Sequence, residues 1–163
     1  MFIGEAPGFH EDRQGRPFVG AAGNFLDELL EMIGLTREEV YICNVLKCRP
    51  PQNRDPQSDE IEACRPYLDR QIELIRPKMV VALGRFSMAR WFPDARISRI
   101  HGQPRKIGAR LYYPMYHPAA ALHQPSLRRA VEEDMRRIPD LIAQMDQIRD
   151  EGPPQQAQQL SLF

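Results

Sequence analysis

The opening stretch MFIGEAPGFHEDRQGRPFVGAAGNFLDELLEMIG (residues 1–34) holds a strand, a loop and a helix in succession, and sets the fold class. Residues 1–4 are a short apolar run without alternation, as expected of a parallel strand covered on both faces. A loop rich in turn residues follows, with Pro7, Gly8, Gly15, Pro17, Gly20 and Gly23. Phe25, Leu26, Leu29, Leu30 and Ile33 then recur at helical spacing, and Gly34 supplies the stop.

The alternation repeats along the chain. Residues 40–45, 79–83 and 111–116 read as three further strands. Ile61, Cys64, Leu68, Ile72 and Ile75 form a helical stripe ended by Pro77, and a shorter helix follows the third strand at 86–91. Ser126 reads as the N-cap of a long helix carrying Leu127, Ala130, Val131, Ile138 and Ile142, which Pro139 kinks or splits. Such alternation predicts an α/β fold with a parallel sheet covered by helices on both sides. The loops at 4–23 and 47–58 both leave carboxyl ends of strands, where open α/β sheets place their ligands.

At 163 residues the chain suits one domain, expected over 1–150. No window approaches a membrane span and the first residues lack a signal peptide's pattern, so the expectation is a soluble, cytoplasmic protein. The 22 basic and 22 acidic side chains cancel overall but not locally. Residues 71–111 carry nine basic side chains against Glu73 and Asp94, an excess suited to phosphate or to a plain solvated surface. Residues 151–158, EGPPQQAQ, read as a flexible linker, and the chain closes with QLSLF. Three cysteines complete neither a disulfide framework nor a four-thiolate zinc site.

Taken in order, GEAPG, GRPFVG, NVLKCRPPQNR, ACRPYL, a VALG strand and HPAAAL resemble the family 4 uracil-DNA glycosylases over residues 1–139. The resemblance implies a three-layer α/β/α sandwich on a four-stranded parallel sheet, and an enzyme that hydrolyses the N-glycosidic bond of deoxyuridine in DNA to initiate base excision repair. It places the uracil site on Gly4, Glu5 and Ala6, with Phe18 stacking on the flipped base and Asn44 reading uracil N3–H and O4. It makes His117 the donor to uracil O2 as the bond breaks. Glu11 matches a glutamate near the base's C5 edge and the reacting water, serving either thymine exclusion or water positioning, and Asn53 matches an accessory asparagine. Ala6 stands where other uracil glycosylases carry an activating aspartate, which argues against a simple strong-base mechanism.

Base extrusion needs a wedge, expected in residues 121–126 with Leu122 filling the vacated space. Relatives often read Leu-Leu-Arg where this chain has Ala121, Leu122 and His123. The family's [4Fe–4S] cluster implies four cysteine ligands. Cys48 and Cys64 match two of them, whereas the early CxxC pair has no counterpart and Cys43 reads as a small buried hydrophobe. The expectation is a chain lacking its amino-terminal segment, with an incomplete cluster site. Gln159, Leu160, Ser161, Leu162 and Phe163 resemble the bacterial sliding-clamp-binding motif, which implies a clamp partner beside uracil-containing DNA for a monomeric, nucleoid-associated enzyme. Two other readings are a broader-specificity damaged-base glycosylase and a non-catalytic DNA or clamp adaptor.

Overall fold

The computed structural model describes residues 1–152. Five strands form one sheet: β1 (Phe2–Gly4), β2 (Ile42–Asn44), β3 (Met79–Leu83), β4 (Arg105–Ile107) and β5 (Arg110–Met115), in the order β2-β1-β3-β5-β4. The four expected strands are present and mutually parallel, with Ile3 opposite Cys43 and Ala82, and Val81 opposite Tyr113. The expected count of four is corrected to five, because β4 adds an antiparallel edge paired with β5. Its sequence, RKI, is short and only half-buried, and it turns back through Gly108 at φ +59°, so no apolar run marks it.

Adjacent strand residues feed opposite faces, the period-two signature of a pleated sheet. Phe2, Val81, Leu111, Tyr113 and Met115 point into one core, where they meet Phe25, Leu26, Leu29 and Leu30 of α2 (Ala21–Met32). Val131 and Met135 of α7 (Arg128–Arg136) and Ile138 of α8 (Ile138–Ala143) close that layer. Ile3, Cys43, Val80, Ala82 and Tyr112 point into the other core, against Leu68 and Ile72 of α3 (Ser58–Ile75) and the Trp91–Phe92 pair. Both faces are thus dry, which is why the strands read as unbroken apolar runs.

The long carboxy-terminal helix is split, with Pro139 at the start of α8, where its missing N–H costs nothing. Ser126 is not its N-cap: it lies inside a short 3₁₀ turn, Pro125–Leu127, and Leu127 flanks α7 without a side-chain cap. Residues read as loop also coil. α1 (Phe9–Gln14) interrupts the glycine-rich loop and α6 (Pro118–His123) occupies much of the expected wedge. The shorter helices α4 (Arg85–Met88) and α5 (Ile97–Ile100) complete the set. Glu151 reaches back to β4, its N–H donating to the Lys106 carbonyl and its carboxylate pairing with Arg105. The clamp-like residues 159–163 and most of the expected linker lie outside the described residues. Among the described residues, no helix is long and apolar enough to cross a membrane.

Candidate active site

Strand order reverses on either side of β1, so the chain leaves β1, β2 and β5 around one crevice at their carboxyl ends. A cavity of about 370 Å³ opens there, and Glu5, Ala6, Glu11, Phe18, Asn44, Asn53 and His117 all line it. Gly4 is not among its lining residues but packs directly against two of them, Asn44 and Phe18. A Cβ there would lie 2.5 Å from Asn44 Oδ1 and 2.6 Å from the Phe18 ring, so only glycine permits this approach.

Asn44 ends β2 with 5% of its surface exposed, and its Oδ1 has no hydrogen-bond partner among the described residues. A buried amide oxygen without a donor costs about 1 to 3 kcal/mol, a deficit that a bound ligand's N–H removes. Phe18 is buried and holds a left-handed backbone, φ +54°, with its ring stacked on His117 at 5.4 Å between centroids.

His117 caps α6. Its Nδ1 accepts from the Ala119 N–H at 3.1 Å, and Pro118 takes the first helical position. Burial pulls its pKa down to about 4, with the Glu11 charge opposing. The ring is therefore neutral near pH 7, and because Nδ1 accepts, its proton is on Nε2. Gly84, at φ +85°, lets the end of β3 approach, since a Cβ there would lie 3.2 Å from His117 Cβ.

Glu11 accepts from the Val19 and Gly20 amides through Oε1 at 2.9 and 3.0 Å. Burial pushes its carboxyl up, but backbone N–H groups led by Gly20 outweigh it and the net shift is downward. Glu11 is an ionised anchor of the loop and a weak base. Glu5 shifts the other way, raised by burial first and then by Asp55, with Arg85 opposing. Asn53 lies at φ +54° in a 3₁₀ turn, its Oδ1 held by Arg49 Nε at 2.7 Å.

The uracil DNA glycosylase superfamily profile matches residues 1–144. Type-4 uracil-DNA glycosylases from Sulfurisphaera tokodaii and Saccharolobus solfataricus are 50% and 48% identical, covering 86% and 88% of this chain and 69% and 71% of theirs. The Archaeoglobus fulgidus type-4 enzyme is 49% identical over 86% of this chain and 75% of its own. The chain belongs to the uracil DNA glycosylase superfamily, in its type-4 group.

Sequence reading missed the parts that hold this glycosylase-family site in shape. Arg37 donates to the Phe18 and Pro17 carbonyls, both at 2.7 Å, and to Asp27 Oδ1 at 2.9 Å. Gly23 lies so close that a Cβ would sit 1.9 Å from the Phe18 carbonyl oxygen. Neither residue belongs to a motif that announces a partner: Arg37 acts on carbonyls 19 and 20 positions away, and Gly23 acts on the nearby Phe18 backbone through a close approach that no local pattern marks. His123 also reaches the cavity lining, while Leu122 beside it is 43% exposed.

The cysteines lie apart from the cavity. Cys64 Sγ accepts from the Lys47 N–H at 3.4 Å and Cys48 is exposed. Cys43 is buried in the core, with burial pushing its thiol up to about 11. No three His, Cys, Asp or Glu side chains converge on a metal position among the described residues. With Cys43 in the core, Cys48 and Cys64 are the two thiols of residues 1–152 that could join a cluster, two short of a four-cysteine set.

The lowered His117 pKa makes stability depend on pH. Between the unfolded value near 6.5 and the folded value of about 4, the unfolded chain takes up a proton that the folded chain refuses. Stability therefore falls as pH drops through that window, by roughly 2 to 3 kcal/mol from about pH 7 to about pH 4.5. Urea midpoints at both pH values should show this loss, and H117Q should have a flatter slope. An equal slope in the variant would show that His117 is not the group responsible.

Proposed function

We propose that this protein is a monofunctional uracil-DNA glycosylase that hydrolyses the C1′–N1 bond of deoxyuridine in DNA, releasing uracil and leaving an abasic site. The observation that carries this is one cavity uniting the unpartnered Asn44 Oδ1, the Phe18 ring and the neutral His117. The same constellation disfavours a non-catalytic adaptor, which has no use for it.

The target base leaves the stack and enters the cavity, where Phe18 covers its face. Asn44 Oδ1 accepts from uracil N3–H and its amide donates to O4. Cytosine presents the reverse pattern and leaves both buried groups unpaired, so it is rejected. As the bond breaks, its electron pair stays on N1 and delocalises onto O2, while C1′ becomes oxocarbenium-like. His117 Nε2–H donates to O2, an interaction that strengthens as negative charge develops. The ionised Glu11 stabilises the cationic sugar and orients the water that adds to C1′. The water's proton passes to uracil N1 or to solvent. Ala6 carries no base, so leaving-group stabilisation supplies most of the rate.

Cys48 and Cys64 would serve as two thiolates of the iron–sulfur cluster implied by the resemblance; residues 1–152 do not complete the set, and no step depends on it. Leu122, exposed beside the cavity, would fill the gap left by the flipped base.

The test is to incubate the protein with oligonucleotides carrying U opposite G, U opposite A, single-stranded U, or T opposite G, and score alkali-sensitive abasic sites. Cleavage at uracil and not at thymine is expected. No product from any uracil substrate would overturn the assignment, and product from T opposite G would favour the broader-specificity reading.

Gln159, Leu160, Ser161, Leu162 and Phe163 would dock on the bacterial sliding clamp, the glutamine at the pocket rim and the apolar side chains within it. Such tethering concentrates a monomeric, nucleoid-associated enzyme at newly copied DNA. Deleting these five residues should abolish retention on immobilised clamp and leave activity on short oligonucleotides unchanged. Equal retention by the shortened chain would refute the docking role.

A further inference from the structure

α1 contributes no buried residue to either core, yet it begins with an exposed aromatic ring next in the chain to the cavity-lining Gly8. Phe9 is 47% exposed, with the guanidinium of Arg13 5.4 Å and that of Arg49 5.2 Å from its ring centroid. Its chain neighbour Gly8 lines the cavity, as does Pro50 beside Arg49. Arg49 also holds Asn53, another lining residue. Many arginines in this protein are paired with carboxylates, among them Arg37, Arg54 and Arg85. Arg13 and Arg49 have no carboxylate partner among the described residues. The helix is held by Glu11, whose carboxylate is tied to the Val19 and Gly20 amides, so Phe9 is presented from a fixed base.

An exposed ring flanked by two unpaired guanidiniums offers a nucleotide two complementary things. The guanidinium planes that lie over the ring, backed by its π surface, stack on any base, and their charges neutralise phosphate. We propose that Phe9, Arg13 and Arg49 form a stacking subsite for the nucleotide that flanks the extruded uracil. Its base lies on the Phe9–guanidinium surface and its phosphate is held by the two arginines. The subsite rests on the uracil-excision reading and adds to it a grip on the strand outside the pocket. That grip serves unpaired flanking bases best, because only they expose a face for stacking.

The test uses single-stranded oligonucleotides of equal length in which the nucleotide 5′ or 3′ to uracil is either normal or a base-less spacer. The wild-type protein should show KM about tenfold higher when the spacer falls on one of the two sides, with kcat unchanged. F9A should raise KM on the normal strand by about the same factor and abolish the spacer penalty. F9W should retain wild-type behaviour, whereas F9L, which keeps bulk but not the π face, should follow F9A. R13Q should reduce the slope of log affinity against log salt by about one. Because Phe9 is exposed, thermal melting of all these variants should match wild type. A spacer penalty that survives in F9A, or a wild-type KM indifferent to both spacers, overturns the subsite while leaving uracil excision standing. Failure of the wild-type protein to release uracil from any strand removes both.

Discussion

Asn44→Asp should lower kcat/KM on uracil-containing oligonucleotides on the order of a thousandfold while leaving the fold in place. The side chains are nearly isosteric, so an oxygen can keep the place of Asn44 Oδ1 beside Gly4. An ionised carboxylate at this position accepts but cannot donate, so uracil O4 loses its partner. It also places a negative charge beside a base that is becoming an anion, which raises the barrier when binding should strengthen. Asn44→Ala separates the two effects by removing the amide without adding charge, and should lose about a hundredfold. Single-turnover rates at saturating enzyme would check both, with thermal melting as the control for folding. Asn44→Ala within about threefold of wild type would show that the buried amide does not read the base.

The second large effect is expected at a residue that touches no substrate. Gly23→Ala places a methyl group 1.9 Å from the Phe18 carbonyl oxygen and 2.2 Å from its carbonyl carbon. Backbone cannot yield as a side chain can, so either α2 or the Phe18 turn must move. A stability loss of about 2 to 3 kcal/mol is expected, with excision reduced about a hundredfold or more as the Phe18 ring leaves its place. Arg37→Met acts on the same turn by another route. It removes the guanidinium that holds the Phe18 and Pro17 carbonyls and keeps the aliphatic stem. It should raise KM with a smaller cost in stability. Urea unfolding and steady-state kinetics on both variants check the pair; wild-type kinetics in each would mean that the Phe18 turn holds itself.

The difference between these two sites shows what could be read in advance. Asn44 and His117 stand at strand ends, next to turn residues, in stretches whose residue types suggest their chemistry. Gly23 is one glycine among several in a loop, and Arg37 lies in an unremarkable polar turn. Their importance comes from contacts made when α2 and the turn at Arg37–Glu39 fold back on the Phe18 loop. β4 escaped for a related reason. An edge strand of three half-buried residues carries almost no apolar signal and exists because β5 offers it a partner. Ser126 shows the opposite error, a good capping residue whose position is taken by a 3₁₀ turn set by Pro125.

The amino-acid sequence alone determined the class of fold, the four parallel strands, the family, and the side chains gathered at the cavity. Apolar runs, helical spacing and strand-end motifs are local patterns, and burial on both faces of a parallel sheet leaves its mark residue by residue. Only the tertiary structure decided the fifth strand, the clamp of Arg37 and Gly23 on Phe18, the tautomer and neutrality of His117, and the cationic ring at Phe9. Some of these join segments distant in sequence, as Arg37 does with Phe18, and others join near neighbours, as β4 does with β5; in each, the geometry and dielectric environment exist only once the chain has closed around them.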